Sequence, residues 1–493
     1  MSEGARGGIQ RMTQHGGITA SEPPLFVDLD GTLVKGDLLL ESLLVLLKAD
    51  PLAILLVPFW LLGGRANLKE KIAQRVDIDP RALVYDDRLL ERLRAEWDQG
   101  RRLVLATASH SKHAHSVARH VGLFEAVLAT DERSNLKGHR KLEAIVAYAG
   151  GGKFDYIGNE SADLEIWRHA RKAVVIGAPR SVMRAARQFC EPEEITRERR
   201  DWFALLLRAV RVHQWLKNLL VFVPLVAAHK IGDVNADIAA VAAFFAYSLC
   251  ASSSYLLNDL LDLQSDRLHE RKRMRPFASG DMSLAHGLIL MPLLLGASIA
   301  IAITMLPPLF LTVLATYYVC TLGYSFWAKN RVVWDVIVLG GLYVLRVLAG
   351  AAAIGIETSF WLLAFSMFIF LSLALVKRYS EMYAILQQGR HQAPGRGYVT
   401  ADLPVLQSMG VASGYLSVLV MALYINSPEV HEHYTRPYML WGIGPLLLFW
   451  ISRVWVKTHR GQMQEDPVVF AARDKLSYVI ALLCAALLVT GTL

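Results

Sequence analysis

The chain has 493 residues, of which 54% are hydrophobic and 19% charged, and its formal net charge is +8. This length predicts more than one domain, and the apolar content is too high for a soluble enzyme of this size. The lysines and arginines cluster in alternate loops between apolar runs, so the positive charge indicates membrane topology rather than a nucleic-acid partner.

The N-terminal part alternates short apolar strands with helical segments. Residues 1–24 are polar and glycine-rich and lack the apolar stretch of a secretory signal, so we expect a disordered tail. Strands are predicted at 25–27, 102–106, 126–129, 154–157 and 173–176. This alternation predicts a soluble α/β domain with a parallel sheet at 25–186, followed by a linker and juxtamembrane helix at 187–215.

Two apolar runs at 38–47 and 52–62 lie between the first two predicted strands. A lysine, an aspartate and a proline within 48–51 separate them, and neither run is long enough to cross a bilayer. A buried helical hairpin fits this pattern. A hairpin that rests on the membrane surface fits it as well, because Phe59 and Trp60 are typical of the interface.

The remaining residues, 216–493, are predicted to form an all-α membrane domain. Nine spans are predicted, at 217–230, 237–257, 284–303, 306–323, 332–354, 358–376, 405–425, 437–455 and 475–492. The basic loops are 259–283, 324–331, 377–404 and 456–474. All of them fall on one side, which predicts that they share the cytoplasmic face with the N-terminal domain. We expect a bacterial inner membrane, because no eukaryotic targeting signal is evident.

An acidic motif follows the second predicted span. Its residues are Asn258, Asp259, Asp262 and Asp266. Spacings of three and four would place the carboxylates on one helical face. Mg²⁺ prefers oxygen ligands and bridges a few carboxylates to substrate phosphates. A solvated acidic face is the alternative, but ionisable groups at a membrane boundary are costly and usually functional.

A basic run comes directly after the acids. Residues 271–275 contain four cations, Arg273 and Arg275 among them. Acids that hold Mg²⁺ and cations that hold phosphate oxygens are the two halves of a diphosphate site. The positive-inside rule accounts for some of these charges without any ligand, but not for their tight pairing with the acidic face.

These motifs resemble those of the UbiA superfamily of intramembrane prenyltransferases, over residues 205–493. Members of that superfamily use Mg²⁺ to ionise a prenyl diphosphate. The segments at 211–218, 324–329 and 377–381 are similar to those of its decaprenyl-phosphate phosphoribosyltransferase branch. A second Asp-rich motif, typical of aromatic prenyltransferases, is reduced here to Asp335. This departure favours a different diphosphate donor.

The branch resemblance implies phosphoribosyl diphosphate as donor and a polyprenyl phosphate as acceptor. It implies Mg²⁺ on Asp259, Asp262 and Asp266. The residues implied to bind substrate are Lys217, Asn258, Arg273, Arg275, Tyr324, Lys329, Asp335, Arg346, Lys377 and Arg378. For each single cation, a purely topogenic charge is the alternative.

The predicted first strand ends in a second motif, Asp28-Leu-Asp30-Gly-Thr32. It resembles the first motif of haloacid dehalogenase-type phosphatases, which implies a Rossmann-like fold with a helical cap at about 33–100. In that chemistry Asp28 attacks phosphorus and Asp30 acts as acid and base. Thr107 matches the hydroxyl of the second motif. Lys141 matches the lysine of the third, with Lys137 as the competing assignment.

The fourth motif departs from the family pattern. Asn159 stands where an aspartate is usual, and Asp163 occupies the second acidic position. The implied Mg²⁺ ligands are Asp28, Asp30, Asn159 and Asp163. An amide oxygen can bind Mg²⁺ but adds no charge, and Glu160 substitutes only if the loop is shifted. A degenerate scaffold or regulatory domain is therefore the alternative to an active phosphatase.

The fusion of the two halves predicts consecutive steps. The membrane half would make polyprenyl-phosphoryl-5-phosphoribose, and the phosphatase half would leave polyprenyl-phosphoryl ribose. One alternative is an ordinary prenyltransferase that uses an aromatic or lipid acceptor. The other is a transporter or membrane scaffold, which the grouping of charges at one face disfavours.

Overall fold

The computed structural model describes residues 22–131, 135–197, 201–392, 397–463 and 466–492. The chain divides into two compact units. The first comprises Met1–Ala209 and Leu256–Ile289, and the second comprises Val210–Tyr255 and Leu290–Leu493. Most of the predicted tail lies outside the described residues. The first unit therefore contains both the α/β domain and the segment with the acidic motif.

The first unit is built around one parallel sheet. Its strands are β1 (Leu25–Val27), β2 (Leu103–His110), β3 (Ala126–Thr130), β4 (Asp155–Gly158), β5 (Lys172–Ile176) and β6 (Glu193–Ile195). Their order is β3-β2-β1-β4-β5-β6, and every pairing is parallel. The strand order reverses beside β1, and in open α/β sheets ligands bind at the carboxyl ends of strands at such a point. The predicted α/β fold is confirmed, and β6 was not predicted.

Both faces of the sheet are covered by apolar side chains. Successive side chains of a strand point to opposite faces, so neighbouring residues belong to different clusters. In β1, Leu25 and Val27 belong to one buried apolar cluster and Phe26 to another. Strands that are buried on both faces read as continuous apolar runs, as this one does. The sheet thus fixes where the first strand ends and where Asp28 lies.

Helices surround this sheet. In the first unit they are Leu38–Ala49, Val57–Leu62, Gly64–Ala73, Asp87–Asp98, Ser111–Val121, His139–Tyr148, Leu164–His169, Arg180–Ala186 and Leu263–Arg267, and Trp202–Val210 ends at its border. Short 3-10 helices cover Pro51–Leu56, Pro80–Ala82, Ser161–Asp163 and Lys272–Met274. Of the two apolar runs, Leu38–Ala49 packs its leucines inward, whereas Pro51–Leu62 leaves most of its residues exposed. The buried-hairpin prediction therefore holds for the first run only.

Long apolar helices follow. Eight helices among the described residues are long and apolar enough to cross a membrane: Val234–Leu261, Leu284–Met305, Pro308–Phe326, Trp334–Ala353, Phe360–Gln387, Thr400–Ile425, Pro437–His459 and Lys475–Thr492. Shorter helices occur at Pro428–His433 and Pro467–Ala471, and 3-10 turns at Ala328–Asn330, Thr400–Asp402 and Pro437–Gly442. The chain is a multi-pass membrane protein.

Nine spans were predicted, and the first of them does not correspond to a long helix. Residues 217–230 fall on a shorter apolar stretch, Val212–Ala227. It begins as a 3-10 helix up to Phe222 and continues as a five-residue α-helix that contains Pro224. A regular α-helix through residues 217–230 would need the backbone N–H that Pro224 lacks. The preceding residues form a 3-10 helix, which is usually short.

A buried ion pair fastens the segment with the acidic motif to the α/β domain within the first unit. Glu41, on the first helix, accepts from both terminal nitrogens of Arg267, at 2.8 and 2.9 Å. The two side chains are only 1% and 5% exposed. Arg267 also donates to the carbonyl of Ala82 (3.0 Å). A buried charge that loses its partner is strongly destabilising.

We expect Glu41→Gln or Arg267→Met alone to destabilise the folded chain by about 3–5 kcal/mol, because each leaves one buried charge without its counter-charge. The double variant should recover much of this loss. Thermal unfolding of the full chain in detergent, followed by tryptophan fluorescence, measures the effect. As a control, Arg81→Ala removes an exposed ion pair with Asp79 and should leave the midpoint almost unchanged. Single variants that melt like the parent would contradict the expectation.

Candidate functional site

The carboxyl end of β1 carries the aspartates of the phosphatase-type motif. Asp28 follows the strand directly, and the chain then turns at Gly31, whose φ is +70°. A side chain at Gly31 would collide with the amide of Asn159. The glycine thus satisfies a positive φ and allows Asn159 to approach the turn closely.

Lys141 lies against the first aspartate. Its ammonium donates to Asp28 (2.8 Å) and to the hydroxyl of Tyr156 (3.0 Å). Burial raises the pKa of Asp28 to about 7, against the opposing charge of Lys141. The competing candidate, Lys137, instead pairs with Glu160 (3.1 Å) at the surface. The structure therefore brings Lys141, and not Lys137, to Asp28.

The second aspartate is held by other groups. Asp30 accepts from the backbone N–H of Leu38 (2.8 Å) and from the hydroxyl of Ser109 (2.5 Å). Burial raises the pKa of Asp30 to about 6. A carboxyl that titrates near neutral pH is suited to both donating and accepting a proton.

Ser109 was not predicted as a site residue. Its backbone N–H donates to the buried hydroxyl of Thr107 (2.9 Å) while its own hydroxyl reaches Asp30. Thr107 therefore helps to position Ser109. The available signal was two hydroxyls two residues apart, on the same side of one strand.

The fourth motif is arranged around Asp163. One of its oxygens accepts the N–H groups of Asn159 (2.9 Å) and Glu160 (3.0 Å), and the other accepts the hydroxyl of Tyr156 (2.7 Å). Asp163 thus shapes the loop with both oxygens. Asn159 accepts from Thr32 (3.1 Å).

A divalent cation fits the donors at this edge of the sheet. Asp28, Asp30 and Asn159 supply two carboxylates and an amide oxygen; Asp28 is buried and Asp30 is half-buried. Oxygen donors of this kind are what Mg²⁺ prefers, and a cation would offset the cost of burying the charges. Within the described ranges, no three His, Cys, Asp or Glu side chains form a metal-binding group. Asn159 contributes an amide where an aspartate would have been the third acidic side chain beside Asp28 and Asp30.

The acidic motif of the membrane half is arranged around an arginine. One terminal nitrogen of Arg275 contacts Asp259 (2.9 Å) and also Asp266. Both carboxylates are nearly inaccessible to solvent, and burial raises the pKa of Asp266. The two acids therefore converge on one positively charged group, so a metal cation would suit the same position.

The third carboxylate points elsewhere. Asp262 pairs with Lys48 of the first helix (2.8 Å). The helix Val234–Leu261 ends just before Asp262, and a separate short helix, Leu263–Arg267, carries Asp266. The prediction of one continuous helical face is thus wrong at this residue. Asn258 is half-buried on the long helix, and Arg273 is exposed on the 3-10 turn.

In the second unit, two of the predicted cations meet at one carboxylate. Asp466 lies 2.6 Å from Lys217 and 3.5 Å from Lys377. The hydroxyl of Tyr343 donates to the same side chain at 3.2 Å. Asp466 was not predicted; its signal was an aspartate before a proline within a basic loop, where it caps a short helix through Val468.

The other predicted residues of this unit form two further groups. Arg346 is buried, donates to Asn218 (2.9 Å), and has three tyrosine rings 5.2–5.4 Å away. Arg378 pairs with Asp335 at 2.5 Å, and Tyr398 donates to the same carboxylate at 2.6 Å. Tyr324 and Lys329 are both half-buried at the end of one apolar helix and in the turn that follows it.

One chain thus combines an α/β domain that carries the phosphatase-type motif with long apolar helices and an acidic motif, as a membrane-embedded enzyme would. The model of the UbiA prenyltransferase family matches residues 218–473. The chain belongs to this family and is an enzyme of the UbiA transferase type.

Three similar proteins match different shares of this chain. An uncharacterized protein of Sinorhizobium fredii, y4nM, is 35% identical over 94% of this chain and 90% of its own length. The nodulation protein NoeC of Azorhizobium caulinodans is 34% identical over 57% of this chain and 91% of its own. The decaprenyl-phosphate phosphoribosyltransferase of Mycolicibacterium smegmatis is 38% identical, over 36% of this chain and 57% of its own.

Solved structures are more distant. A UbiA homolog from Archaeoglobus fulgidus, bound to DMAPP and Mg²⁺, is 17% identical with a TM-score of 0.43, over 58% of this chain and 96% of its own. A phosphoserine phosphatase is 12% identical with a TM-score of 0.26, over 38% of this chain and 98% of its own.

The raised pKa values at the phosphatase-type motif predict a pH-dependent affinity for Mg²⁺. Protons compete with the metal for Asp28 and Asp30 as the pH falls through 7 and 6. Lowering the pH from 8 to 6 should weaken binding at this site by about tenfold. Calorimetric titration of the full chain in detergent measures the affinity. Asp28→Asn serves as reference, since it retains the acidic motif of the membrane half. An identical pH dependence in both proteins would contradict the expectation.

Proposed function

We propose that the chain transfers 5-phosphoribose from phosphoribosyl diphosphate to a polyprenyl phosphate and then removes the 5-phosphate of the product. The observation that carries the transfer step is the convergence of Asp259 and Asp266 on the charge of Arg275. Similarity to decaprenyl-phosphate phosphoribosyltransferases supports the choice of substrates.

The surroundings of Asp335 favour the sugar donor. Asp335 is the only acid within 330–340, where a second Asp-rich motif would lie in an aromatic prenyltransferase. Its carboxylate is buried and already engaged by Arg378 and Tyr398. Because Arg378 is itself only 1% exposed, unlike Arg275 at 27%, Asp335 is a poor ligand for a second metal–diphosphate complex.

The transfer exchanges two bonds at C1 of ribose. The bond between C1 and the diphosphate oxygen breaks, and the diphosphate departs with the electron pair. An oxygen of the lipid phosphate forms the new bond to C1, and this oxygen is already anionic, so no general base is needed. Asp259 and Asp266 would hold Mg²⁺, Asp262 would join them on release from Lys48, and the metal would supply positive charge to the leaving diphosphate.

Cations of the chain would bind the two phosphate-bearing substrates. Arg275, which donates to Asp259 at 2.9 Å, would bind a phosphate oxygen of the donor. Lys217 and Lys377 are held ready by Asp466 and would bind a phosphate in the same way. Charge-assisted hydrogen bonds of this type are roughly twice as strong as neutral ones.

The second step uses the motif at the end of β1. Asp28 attacks phosphorus and forms an aspartyl phosphate, while Asp30 protonates the departing 5-oxygen of ribose. Asp30 then takes a proton from water, which attacks the aspartyl phosphate and releases inorganic phosphate. Lys141 offsets negative charge on Asp28 and on the phosphoryl group. The contacts of Asp28 with Lys141 and of Asp30 with Ser109 support these roles.

We further propose that both reactions take place at the cytoplasmic face of a bacterial inner membrane, as the distribution of basic loops predicts. Labelling of single cysteines within the exposed residues 388–392 by a membrane-impermeant maleimide, in intact cells and in permeabilised cells, would report the orientation. Labelling in intact cells would contradict it.

The transfer step predicts that Asp262→Ala lowers the entry of ribose label into lipid by about tenfold to a hundredfold, since it removes a metal ligand. The measurement uses membranes with polyprenyl phosphate, Mg²⁺ and ribose-labelled phosphoribosyl diphosphate. Lys48→Ala breaks the same ion pair but leaves the carboxylate, and should keep most of the activity. Equal losses of label entry in both variants would contradict a role of Asp262 as a metal ligand and would assign the effect to its ion pair with Lys48.

The hydrolytic step predicts that Asp28→Asn makes a lipid product that keeps its 5-phosphate. The amide cannot act as nucleophile, whereas the transferase motif is unchanged. Mass analysis of the extracted lipid distinguishes the two products. A dephosphorylated lipid from the Asp28→Asn chain would exclude the α/β domain as the phosphatase.

A second candidate function is transfer of a prenyl group to an aromatic or lipid acceptor, and the family to which the chain belongs favours it. In that case the α/β domain is regulatory or inactive. Prenyl label from a prenyl diphosphate, entering a product without ribose, would establish this alternative.

A further inference from the structure

The segment Pro51–Leu62 of the first unit has one packed face. Ala53 is buried, and Val57 and Trp60 pack on the same apolar cluster. Their spacing of four and three residues is that of one side of a helix. Arg75 stacks its guanidinium over the ring of Trp60 at 4.7 Å, which fixes the orientation of the segment on the domain.

The opposite face is apolar as well. The residues exposed there, with their exposed fractions, are Leu52 (75%), Leu55 (66%), Leu56 (44%), Phe59 (68%), Leu61 (49%) and Leu62 (85%). No acidic residue occurs within 51–65. A surface helix of a soluble domain turns polar residues to water, and a contiguous apolar patch marks a surface that is covered by something.

The position of the segment indicates what covers it. A cavity of about 540 Å³ at Asp28 and Asp30 is bordered both by Leu61 and by Leu284. Leu284 is the first residue of Leu284–Met305, an apolar helix of 22 residues that is long enough to span a membrane. Within the first unit, the segment and the first residue of an apolar helix thus border the same cavity, which favours a bilayer as the cover of the exposed leucines.

We propose that Pro51–Leu62 inserts its outer face into the interfacial layer of the bilayer and thereby opens the phosphatase cavity to membrane-anchored phosphate esters. Apolar helices with tryptophan and phenylalanine lie in this layer, next to the acyl chains. The choice of substrate rests on the proposed phosphatase function, whereas the membrane contact does not.

The lining of the cavity fits an amphiphilic phosphate ester. Besides Lys141, its cations are Lys35, Arg65, Lys69 and Lys137, and its apolar residues include Leu39, Leu40, Leu68 and Leu284. A phosphomonoester at Asp28 would meet these cations with any further phosphate that it carries. Its hydrocarbon would leave along the leucines towards the exposed segment.

Fluorescence quenching by brominated lipids tests the membrane contact directly. The full chain is placed in bilayer discs and carries an environment-sensitive probe on Leu62→Cys. The matched control is Val146→Cys, an apolar residue 38% exposed on another helix of the same domain. The parent chain, with its four native cysteines, provides the background. Quenching at position 62 and not at 146 is the expected result.

Absence of quenching at position 62 would overturn the proposal. So would quenching between probes of two chains that depends on protein density and not on brominated lipid, since a second copy would then cover the segment. Both outcomes hold whether or not the domain is a phosphatase.

Kinetics test the consequence for substrates. Phe59→Ser with Leu62→Ser should raise the KM for phosphatidic acid in vesicles by about tenfold or more, because the interfacial anchor is lost. Hydrolysis of p-nitrophenyl phosphate should be unchanged in this variant, which shows that the site is intact. Equal KM values for phosphatidic acid would overturn the link between segment and cavity. Failure of the parent chain to hydrolyse either ester would instead refute the proposed phosphatase and leave the quenching result valid.

Discussion

The functional parts of this chain are built around buried carboxylates. Each of these carboxylates requires a positively charged group beside it. An ionised carboxylate without a partner is too costly to bury, so each one holds a lysine or arginine close to it. The pairs are Asp28 with Lys141, Glu41 with Arg267, Asp259 and Asp266 with Arg275, Asp335 with Arg378, and Asp466 with Lys217. These pairs fall into structural and exchangeable ones.

Structural pairs are buried on both sides and take no part in the proposed chemistry. Glu41 and Arg267 are each 5% exposed or less, and the same is true of Asp335 and Arg378. The first of these ties the cap helix Leu38–Ala49 to the segment of the acidic motif, so that both belong to one compact unit. We propose that the pair of Asp259 with Arg275 is exchangeable: Mg²⁺ would take the place of Arg275, which would then bind a phosphate.

Features that depend on neighbours in the sequence were predictable. The motif at Asp28 follows a short buried strand, and the apolar helices are long enough to stand out. Long-range contacts were not predictable, because nothing local distinguishes Asp466 from other loop aspartates or Glu41 from other helical acids. Local breaks also misled: Pro224 shortens the first predicted span, and the helix ends at Leu261, just before the third carboxylate position.

We propose that one lipid passes through both reactions of this chain. A time course with phosphoribosyl diphosphate that is carbon-labelled in ribose and phosphorus-labelled at the 5 position tests it most directly. We predict that both labels enter the lipid together, and that the phosphorus label then leaves as inorganic phosphate while the carbon label stays. A phosphorus label that never leaves the lipid, or the entry of neither label, would contradict this sequence of reactions.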